Sequence, residues 1–274
     1  SRAAPRSSSL TVASVLRAHG AEVRAELPWP RLRLLDRLGQ CRTAALGGHV
    51  AECASCGHRE VRYNACRDRH CPTCSGGRTV KWLAERQDKL LPVPHFQVVF
   101  TLPSELRALA QAAPAVVYSL LMSSAVKSLQ SVLTTQYGAR FAVTAVLHTW
   151  TRELLLHPHV HIMVSAGGLS LDDTSWVPTG EDFLVSTRKL APLFRGRMLS
   201  GLRAAIRIGE LDLVEPLASR REPLLQAAAS KTWVVHVEPP KKRSPGVIMK
   251  YLARYLFRVA IDDRRLLAHE GGMV

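Results

Sequence analysis

The stretch Leu156-His157-Pro158-His159-Val160-His161, continuing through Ile162-Met163-Val164-Ser165 to Gly167-Gly168, decides how the second half of this chain folds. Side chains on a β-strand alternate faces. A strand over 159–165, stopped by Gly167-Gly168, therefore turns His159 and His161 to one side and Val160 into a core. Two imidazoles held together on a rigid strand outline a divalent-metal site, and a third ligand has to come from a neighbouring strand. Phe141–Trp150 alternates in part, through Phe141, Val143, Ala145 and Leu147, and reads as that neighbour. A hairpin around Glu153 sets His148 nearly opposite His159 on the same face, which makes His148 the expected third ligand. Glu153 is the alternative if the connection folds back, and His157, in phase but ahead of Pro158, is a rim residue.

Working outward, Phe96–Leu102 is a β-branched and aromatic run bounded by prolines, hence a strand. Ser104–Gln136 is helical and broken at Pro114. A helix over Ser186–Arg207 gathers Leu190, Leu193, Phe194, Met198 and Leu202 on one side, and Thr232–Val237 forms a further strand. Residues 9–38 are helical around a Pro28-Trp29-Pro30 break, and a basic helix runs from Gly77 to Leu91. The expected fold is α+β: a mostly antiparallel sheet flanked by helices, preceded by a small helical and zinc-binding domain. The expected boundaries are a helical segment 1–40, a zinc-binding module 41–78, a basic linker helix 79–93 and a catalytic domain 94–274.

A helix over Gly246–Ile261 carries the second chemical signal. Tyr251 and Tyr255, four apart, share one stripe, and Lys250, Arg254 and Arg258 form the stripe beside it. Cations next to a phenol favour the phenolate over its solution pKa of ~10, and they hold phosphates on either side of a scissile bond. Paired with a metal-binding histidine strand, such tyrosines are nucleophiles for cutting a phosphodiester.

All six cysteines fall between Cys41 and Cys74, interleaved with histidines, a pattern of metal ligation in a reducing compartment rather than of a disulfide scaffold. The candidates form four pairs: Cys41 and His49, Cys53 and Cys56, Cys66 and His70, Cys71 and Cys74. The knuckles Cys53-x2-Cys56 and Cys71-x2-Cys74 are expected to share one zinc, and Cys41, His49, Cys66 and His70 a second, so one or two structural ions are bound. Arg42, Arg59, Arg62, Arg67, Arg69, Arg78 and Lys81 surround this block and are expected to meet DNA phosphates.

Thirty-seven Lys plus Arg against 22 Asp plus Glu give a net charge of +15 and a pI near 10.2, the balance of a protein with a polyanionic partner. A membrane partner is disfavoured. The most apolar helix candidate, Ala115–Val132, is interrupted by Ser119, Ser123, Ser124, Lys127 and Ser128, and the first residues lack an apolar signal core. The expected location is the cytosol.

Cys41-Arg-Thr-Ala-Ala-Leu-Gly-Gly-His49, Cys66-Arg-Asp-Arg-His-Cys-Pro-Thr-Cys74, Phe100-Thr-Leu-Pro103, Val146-Leu-His-Thr-Trp150, His157-Pro-His-Val-His161 and Tyr251-Leu-Ala-Arg-Tyr255 occur in that order. In this the chain resembles the insertion-sequence 91 family of HUH transposases, the two-tyrosine kind. The resemblance implies an HUH-endonuclease fold and a single-strand DNA endonuclease and strand transferase. His159 and His161 would ligate Mg²⁺ or Mn²⁺, and Tyr251 and Tyr255 would form 5′-phosphotyrosine links in turn. The zinc domain would help recognise a hairpin-bearing element end, and any helicase would come from the host. Family members usually continue into a further strand and a basic region, whereas this sequence stops nineteen residues after Tyr255. A catalytically inactive DNA-binding remnant and a replication initiator or relaxase are the alternatives. A relaxase usually carries its tyrosine ahead of the histidine motif, not after it.

Overall fold

The computed structural model describes residues 10–151, 153, 155–240, 246, 249, 250, 253, 259, 261–270 and 273. The chain divides into two compact units, Ser1–Ala84 with Phe257–Val274, and Glu85–Leu256.

In the first unit, helix α1 (Val12–His19) opens at Thr11. The Thr11 hydroxyl accepts the Ser14 N–H at 3.1 Å and the Ser14 hydroxyl accepts the Thr11 N–H at 2.9 Å, so two donors a helix end leaves over are satisfied reciprocally. Helix α2 (Trp29–Gly39) starts directly after Pro28, with Pro30 in its first turn, where a missing N–H costs nothing. Strands β1 (Gly48–Glu52) and β2 (Arg59–Tyr63) pair antiparallel from Gly48↔Tyr63 to Glu52↔Arg59. Helix α3 (Pro72–Gln87) begins five residues before the expected Gly77, again with a proline at its first position. The Asp263 carboxylate accepts the Val12 N–H at 2.8 Å and the Thr73 hydroxyl at 3.0 Å. That anchors the C-terminal residues of this unit to the positive ends of α1 and α3.

The second unit runs β3 (His95–Thr101), α4 (Arg107–Ala112), α5 (Pro114–Tyr137), β4 (Ala139–Trp150), β5 (Leu156–Ser170), β6 (Trp176–Pro178), α6 (Thr187–Arg207), α7 (Leu217–Ser230) and β7 (Val235–Glu238). The strands lie in the order β4-β5-β3-β7, with β6 on the far part of β5, and every pairing is antiparallel, as expected. Phe96, Val98 and Phe100 of β3 and Val160, Ile162 and Val164 of β5 are fully buried in one core with Leu121, Leu129, Phe194 and Leu202 of the helices. Phe194 sits edge-on between Phe100 and Trp233, at centroid distances of 5.0 and 5.1 Å. Among the described residues α5 alone is long and apolar enough to cross a membrane. Its Val117, Leu121, Ala125, Leu129 and Leu133 are part of this core.

Two expectations change here. Gly167-Gly168 do not stop β5, which continues to Ser170. Gly167 has φ +152°, and a Cβ on it would lie 2.5 Å from the Trp176 indole, so the glycine lets β6 approach rather than ending the strand. Helix α7 was unforeseen, because Pro223 and the run Ala227-Ala-Ala229 blur its apolar period.

Candidate metal centres

With one face of the sheet given to the core, the alternate residues of β4 and β5 are held on the other. The β4–β5 register sets His148 against His159 and Val146 against His161. His148 Nδ1 lies 3.1 Å from His159 Nε2, and the His159 ring is 4.8 Å from those of both His148 and His161. One ligand atom from each of the three lies within 4.8 Å of the others. Burial holds the His159 imidazole below its ordinary pKa. For His161, burial, with the His159 charge adding, pushes it down to about 4. Both are therefore neutral at pH 7, with lone pairs to offer. An N···N separation of 3.1 Å is close to the ~3 Å edge between adjacent ligands bound at about 2.1 Å. These residues fit a divalent cation.

The shell around them is specific. His159 Nδ1 donates to the His157 carbonyl at 2.6 Å, which leaves Nε2 to face His148. His157 itself stands outside the cluster, with Arg107 Nη2 3.2 Å from its Nδ1. Glu153 is exposed in the β4–β5 connection and also stands outside it. The Gln97 carboxamide, from β3, lies 3.0 Å from His161 Nδ1. Gln97 is the residue that the sequence reading missed, since its relation to His161 crosses strands. The available signal was a lone polar side chain among Phe96, Val98, Val99 and Phe100.

The cysteines group differently from the expected pairs. Cys41, Cys66, Cys71 and Cys74 converge, with Sγ···Sγ distances of 3.6 Å for 41–74, 3.7 Å for 66–74 and 3.5 Å for 41–71. Four thiolates bound tetrahedrally at Zn–S ~2.3 Å would stand about 3.8 Å apart. The ribbon explains the grouping. Its ladder closes at Gly48↔Tyr63, and Arg42 N–H donates to the Asn64 carbonyl just beyond, so Cys41 and Cys66 meet at the base. Cys53 and Cys56 lie at the exposed tip, about 17 Å along for five residues of strand. His49 and His70 are exposed and outside the cluster. Arg42 and Arg67, each next after a cluster cysteine, take φ of +59° and +56°, the turn that swings the chain around the four sulfurs. Burial pushes the Cys41, Cys66 and Cys71 thiols up to about 11. Left to themselves they stay protonated; a bound Zn²⁺ is what favours their ionised form. Of the arginines expected to meet DNA here, Arg59 pairs with Glu52 and Arg62 with Glu60, both on the exposed ribbon.

On the tyrosine segment, Gly246, Met249, Lys250 and Ala253 are helical, with Met249 and Ala253 buried and Lys250 exposed. Tyr251, Tyr255, Arg254 and Arg258 lie outside the described residues.

Comparison with known proteins decides the family. Residues 15–102 match the "Transposase zinc-binding domain" of the insertion-sequence 91 type, and residues 142–274 match the family described as "Putative transposase". Over 273 residues the chain is 38% identical to "Putative transposase y4qJ" of Sinorhizobium fredii, spanning 96% of this chain and 68% of that protein. The chain belongs to the insertion-sequence 91 family of transposases. This transposase is also 29% identical over 243 residues to the transposase for insertion sequence element IS801 of Pseudomonas savastanoi pv. phaseolicola, spanning 85% of this chain and 56% of that one. Among solved structures it is similar to the conjugative relaxase TrwC in complex with mutant OriT DNA, at 15% identity and a TM-score of 0.32, over 59% of this chain and 75% of that one. The zinc-domain match contains the four converging cysteines of the transposase. The other match contains His148, His159, His161 and both tyrosines.

Proposed function

We propose that this transposase cuts and rejoins single-stranded DNA in rolling-circle transposition, with Tyr251 and Tyr255 as nucleophiles beside a divalent-cation centre of His148, His159 and His161. The convergence of those three imidazoles on one sheet face is the observation that carries the reading. When bound, Mg²⁺ or Mn²⁺ supplies positive charge that polarises the scissile phosphate. Imidazole is a poor ligand for Mg²⁺, which favours Mn²⁺ or another first-row ion.

The remaining chemistry belongs to the chain. Tyr251 loses its phenolic proton and attacks phosphorus. A phosphotyrosine ester to the 5′ side forms as the bond to the 3′ oxygen breaks, and that oxygen leaves as a 3′-hydroxyl after taking a proton. The reverse attack by a 3′-hydroxyl of a second strand rejoins DNA and frees the tyrosine. Tyr255, four residues on in the sequence, makes the second cut, so two strands can be exchanged without a double-strand break. Lys250, Arg254 and Arg258 hold the flanking phosphates. The four-cysteine cluster, closed and without an open position, is structural and stabilises a unit too small to rely on its apolar core. Hairpin-bearing element ends are the proposed substrate, and the +15 net charge favours such a partner.

The test is nicking of a labelled single-stranded, hairpin-containing DNA pool. Cleavage with Mn²⁺ that stops with chelator and in the double variant Tyr251→Phe/Tyr255→Phe supports the reading. DNA binding of steep salt dependence with no cleavage under any metal would reduce the protein to a binder.

A further inference from the structure

The three imidazoles are not the whole polar content of their sheet face. The odd-numbered residues of β3 share it: Val99 stands beside His161, and Gln97 lies opposite Met163 of β5 and Glu238 of β7. We propose that Gln97 is a positioning residue for the cation centre, fixing the ring orientation and tautomer of His161 so that its Nε2 is the ligating atom. The inference rests on the metal-centre reading above and deepens it.

The argument is one of proton placement. A neutral imidazole ligates through the nitrogen that lacks hydrogen and carries its proton on the other. Gln97 Nε2 sits 3.0 Å from Nδ1 of His161, so the amide end of Gln97 meets Nδ1 and leaves the ring's Nε2 to the site. Ligation through Nε2 puts the hydrogen on Nδ1, and the Gln97 oxygen accepts it once the carboxamide is turned by half a turn. The oxygen and NH₂ ends of an amide exchange places on a half turn without change of shape, so the same contact serves. His159 follows the same rule within this structure, with Nδ1 held by the His157 carbonyl at 2.6 Å and Nε2 turned to His148. With the amide so turned, the two neighbouring ligands are each held at Nδ1 by a carbonyl-type oxygen. With its oxygen on His161, Gln97 turns its NH₂ away. Glu238 stands directly across the ladder from Gln97.

The measurement is Mn²⁺ affinity of the full chain, by calorimetry and by the electron paramagnetic resonance signal of free Mn²⁺, for the native protein, Gln97→Met, Gln97→Glu and His161→Ala. Gln97→Met keeps the length of the side chain and removes the acceptor, and is expected to weaken binding by about 10–100-fold with its melting temperature unchanged. Gln97→Glu keeps the acceptor and is expected to bind at least as well as the native chain. Native binding that Gln97→Met leaves unchanged overturns this inference alone, as does equal weakening in Gln97→Met and Gln97→Glu. No Mn²⁺ binding by the native chain overturns the metal-centre reading, and this inference with it.

Discussion

His148 stands directly across the β4–β5 ladder from His159, its Nδ1 3.1 Å from the other's Nε2. The pair comes from two strands whose registry is fixed by the apolar residues on the opposite face, since a slip of one residue would turn every imidazole into the core. His148→Ala should therefore leave the fold intact and weaken Mn²⁺ binding by more than about 100-fold, beyond the loss typical of an indirect partner. Calorimetry with a thermal melt as control checks it, and native affinity in the variant would remove His148 from the centre.

The cysteine grouping makes a discriminating prediction. Cys71→Ser should lose zinc and melt the first unit, whereas Cys53→Ser with Cys56→Ser should keep one zinc per chain. Metal analysis of the purified variants decides it. Because Cys41, Cys66 and Cys71 hold their protons up to a pKa of about 11 without metal, zinc binding releases protons, so affinity falls as pH falls. Zinc retention should be lost on acidification and not on mild alkalinisation.

His161 gives a pH dependence of its own in metal-free protein. Its folded pKa of about 4 lies below the ordinary 6.5, so between those values the unfolded chain binds more protons and stability rises with pH. The contribution is complete above pH 6.5 and lost as pH falls toward 4. Thermal melts across that window should show a shallower acid loss for His161→Gln than for the native chain.

Gly167 is a backbone position with little tolerance. Gly167→Ala places a methyl 2.5 Å from the Trp176 ring at φ +152° and should cost about 1–3 kcal/mol, a fall of several degrees in melting temperature. A double variant with Trp176→Ala should recover the steric part of that loss.

What the sequence made legible, and what it hid, follows from the range of each signal. Strand alternation is local, so His159, His161 and their partner His148 were readable from the period of two and the length of one hairpin. The five apolar positions from Leu190 to Leu202 likewise marked α6 to within one residue. The cysteine grouping was not legible because spacing along the chain favours Cys53-x2-Cys56, while the ladder from Gly48 to Tyr63 carries that knuckle away and brings Cys41 to Cys66. Gln97 was invisible for the same reason: nothing in residues 95–101 specifies which strand lies beside them. Gly167 reads as a strand stop until the indole of Trp176 is seen against it.

The central claim is a covalent phosphotyrosine link, and the direct measurement is transfer of label from single-stranded DNA to the protein. The full chain, incubated with Mn²⁺ and labelled hairpin-containing DNA, is run on a denaturing gel and the adduct mapped by mass spectrometry. The account predicts a labelled peptide containing Tyr251 or Tyr255, absent with chelator, absent in His161→Ala, and lost when both tyrosines are phenylalanine. A protein that nicks the DNA but never carries the label, or carries it on another residue, contradicts the account.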